Sequence, residues 1–278
     1  MKKAYLYLTL IAFASFSLAA CDDEKNGIEE ESEITGTWVG EGDPHHYPIA
    51  VINADGTYEW EWAGIARFKD VGKYTYEGNK IVMNATTYYE WDDEKDKYVV
   101  NKYIEGDIPR KIKILDLTPG LMRISLTDYF MGGGQGEGFD FMLFRQGFVQ
   151  NIQSKDLEGT WESYDSEGTL AERVIINGSN YTAYEVWYVD STTLDVTKYT
   201  GTWSIKNSVL SIKPTALYFS KDIPDGQHEY VYSPVDPVTL EAETWAQASY
   251  SLDEYDVKIY LTDDKKTLYA KGAVFKKK

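Results

Sequence analysis

The chain repeats itself, and no other feature limits its possible folds so strongly. Ile34-Thr35-Gly36-Thr37-Trp38 returns as Leu157-Glu158-Gly159-Thr160-Trp161. Gly72-Lys73-Tyr74, followed by Gly78 to Met83, returns as Gly201-Thr202-Trp203, followed by Asn207 to Ile212. Ile124 to Asp128 aligns with Ile259 to Asp263, and Leu143-Phe144-Arg145 with Val274-Phe275-Lys276. The four pairs keep the same order at offsets of 123 to 135 residues, the drift that loop insertions between matching strands would leave. Two homologous domains are expected, residues 34–149 and 150–278, each long enough for its own core.

Within each half the hydrophobic period is two. Tyr58, Trp60 and Trp62 share one strand face, while Thr57, Glu59 and Glu61 share the other. Val238 to Tyr250 reads the same way, with Val238, Leu240, Ala242, Ala246, Ala248 and Tyr250 on one face. Turn signals such as Asp55-Gly56, Glu77-Gly78-Asn79, Asn177-Gly178 and Lys206-Asn207 separate the runs. Eight or nine short strands per half and no clear helix predict an all-β protein. Two tandem antiparallel up-and-down barrels fit best, because closure leaves no exposed sheet edge.

Gly36-Thr37-Trp38 and Gly159-Thr160-Trp161 resemble the Gly-x-Trp motif that opens the first strand of lipocalins. With the later Gly-x-Trp/Tyr hairpin, both halves resemble the lipocalin-like domains of bacterial envelope lipoproteins. The resemblance implies an indole plug capped by a cation from a late strand. Trp38 would lie under Arg145, and Trp161 under Lys276, whose ammonium lacks the planar fork that stacks on a ring.

The first twenty residues read as a secretory signal: Lys2 and Lys3, then an apolar run from Ala4 to Leu18. Leu18-Ala19-Ala20-Cys21 resembles the lipobox of bacterial lipoproteins, which implies cleavage before Cys21, the chain's single cysteine, and acylation there. Residues 21–33 would form an acidic linker. The expected location is a bacterial envelope, lipid-anchored and outer-membrane, with the acyl chains of Cys21 in the membrane. With 45 acidic against 28 basic residues, nucleic acid is not an expected partner.

No arrangement of residues points to catalysis, a cofactor or a metal. His45 and His46 are adjacent, so on a strand their rings would diverge. Asp92, Glu94 and Asp96 have calcium-loop spacing, but Lys97 stands where a glycine is needed, which leaves a charged hairpin turn. Gly132 to Gly138 lacks the Lys-Ser/Thr of a phosphate loop. What remains is aromatic: 8 Trp, 23 Tyr and 10 Phe. Most should fill barrel cores. Tyr89 and Trp91, and Trp187 and Tyr188, fall beside loops and are the candidate ligand-binding residues. The expected role is non-enzymatic binding of a small apolar or amphipathic ligand or an envelope protein partner. Cell-surface glycan binding for polysaccharide uptake, or a structural envelope role, are the alternatives.

Overall fold

Strands that alternate apolar and polar residues bury one face and wet the other, and such strands make up most of the chain. The computed structural model describes residues 33–41, 46–64, 67–101, 109–126, 139–222, 230–249 and 252–278. The chain divides between Gln146 and Gly147. The division falls before residue 149 because the connecting residues already belong to the second unit. Phe148 stacks on Tyr260 at 6.1 Å, and Gln150 bonds Ser208 and Leu261.

The first unit contains β1 (Gly36–Gly40), β2 (His46–Ile52), β3 (Thr57–Gly64), β4 (Phe68–Glu77) and β5 (Lys80–Asp92). There follow β6 (Lys97–Val100), β7 (Pro109–Leu117), β8 (Leu121–Leu126) and β9 (Phe139–Arg145). Pairing runs between sequence neighbours, and β1 meets β9 to close the ring. Eight strands form the up-and-down barrel, and β6 extends the far end of β5.

The second unit opens with a one-turn helix, α1 (Ser154–Leu157), then β10 (Gly159–Tyr164), β11 (Leu170–Asn177), β12 (Asn180–Tyr188), β13 (Leu194–Lys206) and β14 (Val209–Phe219). An excursion carries β15 (Lys221–Asp222), β16 (Val231–Tyr232) and β17 (Ala246–Gln247). Then β18 (Tyr255–Leu261), β19 (Thr267–Ala270) and β20 (Ala273–Lys277) complete the ring by pairing β20 with β10. This barrel also has eight strands.

Register aligns the two units residue by residue. Tyr58 lies opposite Gly72, as Tyr181 lies opposite Gly201. Each glycine stands at a bulge facing the next strand, and only glycine fits there. A Cβ would come within 2.0 Å of Asn84 O at Gly72 and 2.3 Å of Lys213 O at Gly201. The plugs match too, since Trp38 Nε1 donates to Ile34 O, and Trp161 Nε1 to Leu157 O, each at 2.7 Å. Both indoles are fully buried. A large apolar side chain removed from water in this way contributes roughly 1.5–3 kcal/mol.

Two sequence expectations are corrected. Ile259 to Leu261 belong to β18, the counterpart of β7, not of the β8 strand that holds Ile124. Both segments are short apolar alternations on adjacent strands, so the pattern could not separate them. The described part of the Val238 to Tyr250 segment, residues 238–249, is not a long strand either; it holds the two-residue strand Ala246–Gln247 and an isolated bridge from Ala242 to Val235. Asp236 instead gathers the amides of Val238 and Thr239 into a turn, Leu240 takes a positive φ of 62°, and its side chain is buried against Tyr184, Val186 and Val196. This excursion covers the outer face of β12 and β13.

Candidate functional site

Equivalent positions hold different side chains in the two barrels. Counting from the matched tyrosines, Trp60 corresponds to Ala183 and Trp62 to Glu185. Asp70, opposite Trp60, corresponds to Tyr199, opposite Ala183. Arg110, opposite Met83, corresponds to Tyr255, opposite Ile212. In the first barrel Trp60 and Trp62 are both buried in the core with Tyr58 and Met83. Arg110 lies 5.0 Å from the Trp60 ring, and Asp70 is 2% exposed. That interior is filled by its own residues.

In the second barrel an indole is replaced by a methyl group, and a cavity of about 310 Å³ results. That is the low end of the range for small-molecule sites. Val174, Ile176, Ala183, Leu210, Ile212 and Phe275 give it apolar walls. Tyr181 and Trp203 lie deep within it, each 8% exposed, and Tyr181 Oη and Trp203 Nε1 have no hydrogen-bond partner. Burial raises the Tyr181 hydroxyl's pKa, so it stays a donor. At the end away from Trp161 the lining turns polar, with Glu172, Glu185, Tyr199, Tyr255 and Lys271.

Glu172 and Glu185 are direct cross-strand neighbours. Burial pushes the Glu172 carboxyl up, Lys271 opposes that, and the Glu185 charge adds to it. Tyr199 Oη donates to Glu185 at 3.1 Å, and the Lys271 ammonium lies 5.3 Å from the Tyr255 ring. Among the described residues, no group of three or more His, Cys, Asp or Glu is placed to hold a metal ion. The cavity therefore offers shape, apolar contact, two unspent donors and an acidic rim.

The expected site residues fall in several places. The Arg145 guanidinium lies 4.5 Å from the Trp38 ring and donates to Thr35 O at 3.0 Å, so the first clamp has the expected partners. The second clamp is Lys277, not Lys276. Trp161 pairs across to Lys277, as Trp38 does to Arg145, and the Lys277 ammonium lies 5.2 Å from the Trp161 ring. Lys276 is on the opposite strand face and donates to Thr267 Oγ1. A one-residue slip in alignment exchanges the faces of a strand.

Tyr89 and Trp91 are half-buried on β5 and already engaged by cations. Arg67 covers Trp91 at 4.8 Å, Lys69 lies 5.5 Å from Tyr89, and Tyr98 meets Trp91 edge-on at 82°. The Asp92 to Lys97 segment is a turn, with Asp92 accepting the Lys95 amide. Trp187 and Tyr188 are 66% and 52% exposed. They line a shallow groove that shares Glu172 and Glu185 with the cavity mouth. So two of the four candidates adjoin the cavity, and the other two stand in the first unit. Cys21 and the rest of residues 1–32 lie outside the described residues, as do His45, His228 and Gly132 to Gly138.

Sequence reading missed Ala183, Tyr199 and Tyr255, the small or altered residues that open the space. The signal was present in the repeat: aligned through the tyrosine and glycine pairs, Trp60 meets an alanine. No protein-family profile matches the chain, and no curated protein matches it as a relative.

Proposed function

We propose that this protein is a non-enzymatic binding lipoprotein, tethered to a bacterial outer membrane through acylated Cys21, that takes a small apolar or amphipathic ligand into its second barrel. The observation that carries the reading is the 310 Å³ cavity with apolar walls, at a place whose equivalent in the first barrel is filled by Trp60. The filled copy serves as scaffold and the hollow copy as receptor.

Titration with the neutral fluorophore N-phenyl-1-naphthylamine tests this. One dye should bind per chain, and Ala183→Trp, which restores the first barrel's indole, should abolish the uptake while keeping the fold. Dye uptake that ignores Ala183→Trp would count against the reading. For the anchor, Cys21→Ser should end labelling by a palmitate analogue.

A second reading rests on Trp187, whose ring is two-thirds exposed beside the acidic groove. An exposed indole can stack on the apolar face of a sugar, as a surface glycan-binding lipoprotein requires. Affinity electrophoresis in polysaccharide gels checks it: retardation lost in Trp187→Ala supports a glycan, and free migration on every gel removes it.

A further inference from the structure

One matched hydroxyl is paired in the first barrel and unpaired in the second, and that difference points to a ligand. In the first barrel Tyr58 Oη donates to Asp70 Oδ2 at 2.7 Å. At the matching position in the second barrel, Tyr181 Oη is buried with no acceptor, because Asp70's counterpart is Tyr199. Trp203 Nε1, lining the same cavity, is unpaired as well, but so is Trp60 Nε1 in the filled first barrel, so the tyrosine hydroxyl is what distinguishes the two. A buried donor left unsatisfied destabilises the fold, and a ligand oxygen that accepts its hydrogen bond would return that loss. The first barrel therefore displays what the second lacks: a flat apolar body where Ala183 leaves space, and an acceptor oxygen beyond it.

The charges narrow the class. In the first barrel the acceptor is a carboxylate neutralised by Arg110, but Arg110's counterpart is the uncharged Tyr255. The cation in this lining, Lys271, lies beside Tyr255 and acts on Glu172, so an anionic acceptor at Tyr181 would compete with that glutamate for it, and a neutral acceptor is favoured. At the mouth Glu172 and Glu185 stand side by side with one ammonium, Lys271, among the lining residues. Two carboxylates against one cation favour a positively charged head and reject a negative one.

Resting on the small-ligand reading above, we infer that the second barrel selects a compact aromatic amine: a flat ring body, a neutral acceptor oxygen at its buried end and a protonated amine at the mouth. The acceptor meets Tyr181, the ring lies over Ala183, and the amine meets Glu172 and Glu185.

The test uses the full chain and four probes that share an indole body. These are 5-methoxytryptamine, tryptamine (no acceptor), 5-methoxyindole (no charge) and 5-methoxyindole-3-acetate (anionic), each competed against N-phenyl-1-naphthylamine. The amine bearing the methoxy group should bind about tenfold tighter than either probe lacking one feature, and the acetate weakest. Tyr181→Phe should erase the advantage of the methoxy group without lowering the melting temperature, since it removes an unpaired hydroxyl. Glu185→Gln should erase the advantage of the amine and leave that of the methoxy group. The inference is overturned if the acetate binds as well as the amine, or if Tyr181→Phe leaves the methoxy preference intact. It is also overturned if the dye binds but none of the four probes displaces it, in which case the small-ligand reading survives. If the dye itself does not bind, both fall.

Discussion

Inside the first barrel Arg110 grips Asp70 at two points, Nη2 to Oδ1 at 2.7 Å and Nη1 to Oδ2 at 3.2 Å. Asp70's side chain is 3% exposed and that of Arg110 is 18%. Removing one partner of such a pair strands a charge away from water, which costs about 3–5 kcal/mol. Arg110→Met should lose about that much in urea unfolding. The double variant Asp70→Leu with Arg110→Met should recover most of it. A single variant as stable as the parent would show that the pair is not needed to hold this core.

Trp60 is the side chain that keeps the first barrel solid. Trp60→Ala should cost about 3–5 kcal/mol, the transfer loss plus the hole left behind. The same change should create a second uptake site for N-phenyl-1-naphthylamine, raising the stoichiometry from one to two. Unchanged stoichiometry would mean the first barrel collapses around the space.

The identity of the second clamp can be settled by alanine substitution. Lys277 faces the Trp161 ring and donates to Asp156 O at 3.1 Å, so Lys277→Ala should cost about 1–2 kcal/mol. Lys276→Ala, on the solvent face, should cost about 0.5 kcal/mol. Thermal melts of the two variants side by side give the answer, and the reverse order would return the clamp to Lys276.

Two glutamates of the second barrel should respond to pH with opposite signs. Burial opposes ionisation of Glu162, but hydrogen bonds from Lys278, Tyr164 and Arg173 outweigh it and hold the carboxyl below its usual 4.5. A carboxyl lowered by folding adds stability above its unfolded value, and that stability drains away as pH falls. Glu162→Gln should therefore flatten the acid limb of the stability curve. Glu172 is raised by burial, so its favourable share exists below pH 4.5 and vanishes as pH climbs. Glu172→Gln should stabilise at pH 7 and change little at pH 3. Urea midpoints at pH 3, 5 and 7 separate the two cases.

Asp190 offers a direct titration. Its Oδ1 accepts the amides of Thr192 and Thr193, at 2.7 and 2.8 Å, and the Thr192 hydroxyl, which together pull its pKa down to about 2. The amide resonances of Thr192 and Thr193 should shift with a midpoint near that value. A midpoint near 3.8 would mean the turn is open in solution.

Much of the architecture could be read from the repeat and the period of two. Gly72 and Gly201 mark equal corners because a Cβ has no room at either, and Trp38 and Trp161 open equal strands. Errors arose where the pattern lacks a unique phase. Lys276 and Lys277 differ by one position in a run of lysines, and composition does not say which faces inward. Leu240 looked like a strand residue because it is apolar and flanked by polar neighbours, but the Asp236 turn decides its fate. The cavity was harder still, since it is defined by what Ala183 does not fill. Hydrophobic periodicity records which face is buried, not whether the buried volume is occupied.

The indole and cation of each plug straddle the seam where a barrel's first strand meets its last: Trp38 on β1 with Arg145 on β9, and Trp161 on β10 with Lys277 on β20. Every other pairing in the two barrels, even β14 with β18 across the excursion, joins strands closer along the chain than the seam does, so sealing the seam carries the largest loop-closure cost and is expected late in folding. A contact made after the rate-limiting barrier governs how slowly the ring reopens, with little bearing on how fast it forms. The paired rings and cations thus act as latches on lifetime.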